Sequence, residues 1–392
     1  MIGVLFWLCL FIIIYTYFGY LLLLSFLAQF SIPKNYAQKD FPSVTLLIAA
    51  YNEEKIIASK LENSLSLDYP KERLQIIVAA DGSDDGTVAI VRAYAERGVK
   101  ISYDSVRRGK MAAINHAMLL APNEIVIFSD ANNFYAPNAL IELVRPFSDV
   151  RVGGVSGAKT INADEDPLGD TEGLYWKYES LIKKQETRLG CTVGASGEIL
   201  GIRRKLFTPP PPEIINDDMF IAFSIIRAGY DMVYVPTARS FERMTFSERE
   251  EIVRRTRIFA GLYQTMRMSF TLLPFHRPVI VWQIISHKYL RALIPFAMVG
   301  VWITNLLVLF YPQAESSLNW LFLAPPYGKL FLVLQSCFYL SATLGKKLKL
   351  DGKLGKLLNI PVFLVNSNFA ALRGFQRYLT GQQTVIWKKA AR

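Results

Sequence analysis

The sequence predicts an α/β domain on a mostly parallel sheet, flanked on both sides by helices long enough to cross a membrane. Three observations predict it. Residues 2–31 carry no charge and are dominated by Leu, Ile, Phe and Tyr. Residues 41–245 alternate short apolar runs with stretches of helical spacing. Beyond residue 288 long apolar runs return, bordered by basic clusters.

A bilayer core takes about 20 apolar residues, so the segment 1–31 can span it. It lacks the basic start, shorter core and small-residue cleavage site of a secretory signal, which makes it a retained helix. Lys34 and Lys39 follow at once, placing the next domain in the cytoplasm, on the inner face of the cell membrane. Within 41–245, Val44-Thr-Leu-Leu-Ile-Ala-Ala50, Gln75-Ile-Ile-Val-Ala-Ala80 and Glu124-Ile-Val-Ile-Phe128 have the pattern of strands buried on both faces. Ile57, Leu61 and Leu65 recur at helical spacing between the first two, and Met111, Ile114 and Met118 before the third. Strand, helix, strand at this spacing builds parallel pairs.

Ser247-Glu-Arg-Glu250 has capping-box spacing and opens a helix within 246–275. Ile252, Thr256, Phe259, Tyr263 and Met266 share one of its faces, while Arg249, Arg254, Arg255 and Arg257 crowd elsewhere. The pattern suits a membrane-interface helix, and a helix packed on the domain looks similar. The region 288–380 offers two or three spans. Residues 290–311 can cross, with His287, Lys288 and Arg291 at the mouth. Residues 312–327 hold Glu315 and no basic residue, as expected outside the cell. Residues 330–344 then return toward Lys346, Lys347, Lys349, Lys353 and Lys356, as expected on the cytoplasmic side. Residues 357–372 contain Asn366, Ser367 and Asn368 and fit spanning, re-entry or an interface position. If they span, Lys388, Lys389 and Arg392 end outside, against the charge rule.

Composition removes whole classes. With 52% hydrophobic and 20% charged residues among 392, the chain is not disordered. Cys9, Cys191 and Cys337 are too far apart for a disulfide scaffold or a cysteine metal site. The net charge of +11 suits a membrane protein that handles phosphate and also a nucleic-acid binder. The basic residues after the α/β region cluster beside apolar runs, so nucleic acid is not expected as a partner.

In an open parallel sheet, ligands bind beyond the carboxyl ends of the strands. Here those ends carry Ala50-Tyr-Asn-Glu-Glu54, Asp81 in Asp81-Gly-Ser-Asp-Asp-Gly86, and Asp130 in Ser129-Asp-Ala-Asn132. Each taken alone reads equally well as a turn or a helix cap. Three such ends on one rim point to a single polar ligand.

In order along the chain, Ala49-Ala-Tyr-Asn-Glu53, Asp81-Gly-Ser-Asp-Asp-Gly-Thr87, Gly109-Lys110 with Asn115, Ser129-Asp-Ala-Asn132, Gly194-Ala-Ser-Gly197, Ile202-Arg-Arg204, Asn216-Asp-Asp218 and Arg254-x-x-Arg257 resemble the motif set of the membrane-bound family 2 glycosyltransferases, in the branch of cellulose and poly-N-acetylglucosamine synthases. The resemblance covers roughly residues 42 to 265. It implies a Rossmann-like GT-A domain that binds a nucleotide-sugar, with UDP-hexose or UDP-N-acetylhexosamine as the expected donor. By the same resemblance Ala50, Tyr51, Glu53 and Asp81 contact the base or ribose, and Lys110 meets phosphate; a solvated helix lysine is the plainer reading of Lys110. Asp130 and Asn132 stand where the family binds Mg²⁺ or Mn²⁺ to neutralise the departing diphosphate. The second carboxylate of that motif is here an amide, which offers a carbonyl oxygen with less charge.

Inverting transfer needs one general base for the acceptor hydroxyl. Asp218 inherits that role and Asp217 the supporting one; both also stand where carboxylates cap a helix. Two adjacent carboxylates raise one pKa toward neutrality. Arg254 and Arg257 suit a diphosphate, but Ile258 replaces the Trp that the processive branch carries next. Gly194, Ser196 and Gly197 let backbone approach an acceptor sugar. Trp176 and Tyr178 suit either stacking on that sugar or a core. Cys191 reads as a buried thiol, and His116 as a packing or surface residue.

The expected partners are therefore a nucleotide-sugar donor, a polysaccharide or lipid-linked acceptor, the membrane and, for a polymeric product, an export partner. A catalytically silent membrane subunit that binds a synthase is the competing expectation, and intact Asp81, Asp130 and Asp218 argue against it.

Overall fold

The computed structural model describes residues 2–32, 34–36, 40–161, 167–242, 248–311, 319–348 and 352–382. Lys39, the Ser247 cap, the loop at 312–318 with Glu315, Lys349 and the tail at 388–392 lie outside the described residues.

Eight strands, β1 (Val44–Ala50), β2 (Leu74–Asp81), β3 (Val99–Asp104), β4 (Ile125–Asp130), β5 (Asn133–Tyr135), β6 (Val152–Ile161), β7 (Leu200–Arg203) and β8 (Asp231–Glu242), form one sheet. Their order is β3-β2-β1-β4-β7-β6-β8-β5. β1 pairs in parallel with β2 and β4, β2 with β3, and β6 with β8. β7 runs antiparallel between β4 and β6, and β5 antiparallel along β8. The sheet is therefore mixed, with four of its seven pairings parallel and three short ones antiparallel. β5 and β7, of three and four residues, are too short to leave a periodic signal.

Helices α1 (Ile2–Ile14) and α2 (Tyr20–Ala28) join through a π-helical turn at Tyr15–Gly19. α3 (Ile57–Leu65), α4 (Thr87–Ala93), α5 (Lys110–Met118), α6 (Ala139–Val144), α7 (Pro167–Leu189) and α8 (Asp217–Arg227) lie between strands. After the sheet come α9 (Glu248–Arg267), the short α10 (Ser269–Leu272), α11 (Pro278–Ile284), α12 (Leu290–Phe310), α13 (Asn319–Phe322), α14 (Tyr327–Leu348) and α15 (Gly352–Leu379). A second π-helical turn, Ile285–Tyr289, joins α11 to α12. Ile2–Ala28 and Pro278–Phe310 are long and apolar enough to cross a membrane, and no other helix among the described residues is.

Alternate residues of a strand point to opposite faces, and here both faces are covered. Leu47, Ile77, Val126 and Phe128 meet Met111 and Ile114 of α5 and Phe223 of α8. Leu46, Ile48, Ile76, Val78 and Ile127 meet Ile57 and Leu61 of α3 and Leu143 of α6. Burying a side chain of this size is worth about 1.5–3 kcal/mol, which is why the strands read as unbroken apolar runs. The first core continues into Tyr263 of α9, Ile284 of α11 and Ala292 of α12, so the C-terminal helices share it with the sheet.

Helix α9 packs closely on α15. A Cβ at Gly374 would lie 2.7 Å from the Cβ of Phe259 and 2.8 Å from the carbonyl of Thr256, and Tyr263 meets Phe375 with ring centroids 5.1 Å apart. Part of the face that suits a membrane interface is thus a helix–helix contact.

Strand register places the candidate site. Ala50 lies opposite Ala80, and Ala49 opposite Asp130. Tyr51, Asp81 and Asp130 therefore leave the sheet side by side on one rim.

Candidate active site

The loops after β1 and β2 are stitched together. The amide N–H of Asn52 donates to Ser83 Oγ at 3.1 Å, that of Asp84 to Asn52 Oδ1 at 3.0 Å, and that of Glu53 to Thr87 Oγ1 at 2.7 Å. Asp81 is buried, and its two oxygens each accept one backbone N–H, from Arg108 at 2.8 Å and Gly109 at 2.9 Å. It organises the segment that leads into α5. The Arg107 guanidinium lies 3.7 Å from the centroid of the Tyr51 ring, a cation–π stack at the mouth of the site.

Gly82 makes this close approach possible. Its φ is +61°, and a Cβ would lie 2.5 Å from the amide nitrogen of Arg107. Gly82→Ala is therefore expected to cost at least ~1 kcal/mol and to lower Tm by a few degrees in thermal unfolding. An unchanged Tm would show that the loop shifts freely.

Helix α5 begins at Lys110, whose ammonium lies 2.6 Å from Asp130 Oδ1 and 3.9 Å from Asp217 Oδ2. It thus joins the rim of β4 to the start of α8. Burial pulls the Lys110 pKa down, but Asp130 and Asp217 outweigh it and hold the group above its ordinary value. Burial pushes the Asp130 carboxyl up; Lys110 first, then Lys159 and Lys60, hold it below the usual range. Asp218 behaves oppositely. Burial, then the Asp217 carboxylate, push it up from 3.8 to about 6. That sets Asp218 apart from Asp130 as the candidate proton acceptor of this rim.

The residues present fit a Mg²⁺ or Mn²⁺ ion shared with a diphosphate. Such ions are bound through one or two carboxylates plus substrate phosphates and water. Asp130 offers one hard oxygen. The Asn132 amide nitrogen donates to Glu242, which leaves its carbonyl oxygen as the other candidate ligand. No group of three His, Cys, Asp or Glu side chains able to hold a metal without the substrate occurs among the described residues.

Three lysines near the rim escape motif reading. Lys60 is fully buried, donates to the carbonyl of Asn133 and lies 4.3 Å from the centroid of Tyr135; burial pulls it down to about 7. It occupies the buried stripe of α3 with Ile57, Leu61 and Ser64, and a lysine within an apolar stripe is the signal that could have found it. Lys159 pairs with Glu242. Lys183 on α7 donates to Ser196 Oγ at 3.0 Å.

On the acceptor side, Gly197 abuts Asp218: a Cβ there would lie 3.2 Å from the Cβ of Asp218. Trp176 is half-buried with Lys159 5.6 Å from its ring centroid. Its indole N–H is buried without a hydrogen-bond partner, so it remains a candidate for the acceptor. The Tyr178 hydroxyl donates to the carbonyl of Tyr17 in the N-terminal helix at 2.8 Å, in keeping with its reading as a core residue. Arg254 binds Glu251 through two hydrogen bonds, 2.7 and 2.8 Å, and Arg257 donates to the carbonyl of Ile215. Asn216 donates to the carbonyl of Ile258 at 2.9 Å, so α9 braces the entry to α8. Arg203 pins β7 to the carbonyls of Val152 and Phe147 and to Glu124, a structural task. Cys191 is buried, its thiol pushed up to about 12 by burial, and His116 is exposed, meeting Ser102 at 3.1 Å.

Comparison with known proteins agrees with this geometry. The model described as glycosyl transferase family 2 matches residues 45–207. Residues 45–207, less than half of the chain, are therefore similar to that family's glycosyltransferase domain. The glycosyltransferase match holds Asp81, Asp130, Trp176 and Gly197, while Asp217, Asp218, Arg254 and Arg257 follow it. The poly-β-1,6-N-acetyl-D-glucosamine synthase of Staphylococcus aureus (strain COL) is 28% identical over 207 residues, 51% of this chain and 49% of its own. The β-monoglucosyldiacylglycerol synthase of Trichormus variabilis is 29% identical over 216 residues, 52% of this chain and 46% of its own. The aligned part is thus about half the length of these curated relatives. A mannosyltransferase of Pyrobaculum calidifontis, solved with GDP-mannose and Mn²⁺, matches with a TM-score of 0.72 at 21% identity, covering 98% of this chain and 100% of that one. That likeness is one of fold, and the fold of the glycosyltransferase domain is GT-A-like.

Proposed function

We propose that the chain transfers a sugar, with inversion, from a nucleoside diphosphate donor to a hydroxyl of a growing polysaccharide or lipid-linked glycan at a membrane surface. One observation carries the reading. Asp218, pushed up to about 6, adjoins Asp217, and Lys110 ties Asp217 to Asp130. A base and a diphosphate site thus fall within the reach of a single ammonium group.

In this reading Asp218 takes the proton of the acceptor hydroxyl as its oxygen bonds to the anomeric carbon and the bond to the diphosphate breaks. Asp217 holds Lys110 in place, and Lys110 meets the phosphate as a point charge. Ala50, Tyr51, Glu53 and Asp81 line the nucleoside end. Gly194, Ser196, Gly197 and Trp176 receive the acceptor, and Arg254 and Arg257 close over the diphosphate from α9. Asp130 and Asn132 would hold a Mg²⁺ or Mn²⁺ ion, which when bound would neutralise the leaving diphosphate.

Helices Ile2–Ala28 and Pro278–Phe310 hold the domain at the membrane. Lys34 after the first, and Lys346 and Lys347 at the end of α14, favour a cytoplasmic placement. An export partner would carry a polymeric product outward.

The test uses purified protein in lipid nanodiscs with Mn²⁺ and radiolabelled UDP- and GDP-sugars supplied singly, followed by product sizing. One donor is expected to give nucleoside diphosphate and labelled glycan in equal amounts. Release from none of them favours the silent subunit over the enzyme.

A further inference from the structure

Glu186 on α7 is fully buried, and its carboxylate gathers four groups from three parts of the chain. Oε1 accepts from the Tyr20 hydroxyl at 2.7 Å and lies 2.8 Å from His287 Nδ1. Oε2 accepts from the Thr192 hydroxyl at 2.8 Å and from the Val193 N–H at 3.1 Å. Tyr20 and His287 belong to the two helices that are long and apolar enough to cross a membrane. Thr192 and Val193 open the segment 192–197, which ends against the candidate base.

The rest of that segment is held from the same helix. Lys183, one turn before Glu186, donates to Ser196 Oγ at 3.0 Å and lies beneath Gly194, where a Cβ would come 3.1 Å from its Cε. Gly197 then abuts Asp218. The membrane-facing side is fixed as firmly. Glu179, two turns earlier on α7, meets His287 Nε2 at 2.9 Å, Lys288 at 3.3 Å and Arg291 at 2.7 Å. The two π-helical turns also meet here, with the Tyr15 hydroxyl 2.8 Å from Ser286 Oγ and accepting from the Trp282 indole at 2.8 Å. Widened turns of this kind often mark functional places in a helix.

We infer that Glu186 is a positioning residue that couples the seating of both apolar helices to the placement of residues 192–197 against Asp218. An ionised carboxylate with no exposure needs its donors in place. Withdrawal of Tyr20 or His287 takes a partner from Oε1 of the buried carboxylate, and the easiest relief is movement of the one partner that is not part of a helix, the segment at 192–193. The donor side hangs from β1, β2 and β4 and is independent of this carboxylate. Helix seating therefore governs acceptor placement and leaves donor binding alone. This rests on the sugar-transfer reading of the site.

The experiment compares wild type, Glu186→Gln, Tyr20→Phe and the double variant in nanodiscs and in detergent, with the donor that the wild type uses. Donor affinity is measured separately by calorimetry. Glu186→Gln replaces one acceptor oxygen with a donor and should lower kcat per folded molecule roughly 30-fold, with donor Kd within about twofold. Tyr20→Phe removes one hydroxyl and should lower kcat about fivefold. The double variant should be no worse than Glu186→Gln. The ratio of bilayer to detergent turnover should fall in all three variants. A role in folding alone lowers Tm and yield while kcat per folded molecule and that ratio stay at the wild-type values, and this result overturns the inference. So does a loss of donor affinity equal to the loss of kcat. If Glu186→Gln does not fold, Tyr20→Phe decides by the same criteria. Absence of turnover in the wild type itself overturns the sugar-transfer reading, and the inference falls with it.

Discussion

Asp218→Asn is expected to lower kcat by about 10²–10⁴-fold while leaving donor affinity within about twofold, because it removes the proton acceptor and little else. The amide keeps the shape of the carboxylate beside Gly197 and keeps an oxygen for the Met219 N–H, which Asp218 Oδ1 accepts at 2.8 Å. The pH profile supplies an independent check. With the carboxyl pushed up to about 6, wild-type kcat should be flat above that pH and fall about tenfold per unit below it. Stability should move the other way. The folded group binds its proton more tightly than the unfolded one, whose ordinary value is 3.8. Stability therefore falls as pH rises from about 4 to 6, and the full cost is present above 6. Asn removes that cost, so the variant should melt higher than wild type at pH 7.5 and not at pH 4. Kinetics in nanodiscs and thermal unfolding at the two pH values check both signs. Retained turnover removes Asp218 as the base; lost turnover with a lowered Tm at pH 7.5 reassigns it to the structure.

The strands that carry this site are legible because burial on both faces leaves only apolar residues to use. Val44–Ala50 appears in the sequence with its observed ends, and Lys110–Met118 follows from the spacing of Met111, Ile114 and Met118. β3 and α4 escape notice. Only Val99 and Ser102 of β3 are buried, so its pattern is diluted at the edge of the sheet. Motif order brings Asp81, Asp130 and Asp218 forward, yet says nothing of what each carboxylate holds. Asp81 binds two backbone N–H groups, which no pattern of residue types records. Lys60, Lys159 and Lys183 stay hidden for another reason. Sequence reading assigns lysine to water, yet Lys60 and Lys183 are buried and Lys159 largely so, received by Asn133, Ser196 and Glu242. The basic excess is likewise divided. Some of it lies beside apolar helices, and some, at Lys60, Lys110 and Lys159, surrounds Asp130 at the rim of the sheet.

That rim makes the second large effect a conditional one. Asp130→Ala is expected to weaken donor binding about a hundredfold in Mn²⁺, equivalent to ~2.7 kcal/mol, and to leave it unchanged or tighter under chelator. The argument lies in the charges around the residue. Lys110 is in direct contact with Asp130, and Lys159 and Lys60 act on it from further away. Removing the carboxylate without metal exposes a diphosphate to the same ammonium groups with one fewer negative charge between them, and Coulomb attraction then grows. With metal present the balance reverses. The ion loses its hard oxygen ligand, Asn132 offers only a neutral carbonyl, and the dication that would face the diphosphate is no longer held. A variant that loses the same affinity with and without chelator would show Asp130 acting on the donor directly. Lys110 gives the matching control. Lys110→Met frees Asp130 from its ammonium partner, so metal affinity should rise while donor affinity under chelator falls. Calorimetry of donor and of Mn²⁺, each with the other absent and then present, separates these terms. The opposite signs expected for the two variants cannot both arise from a general loss of structure.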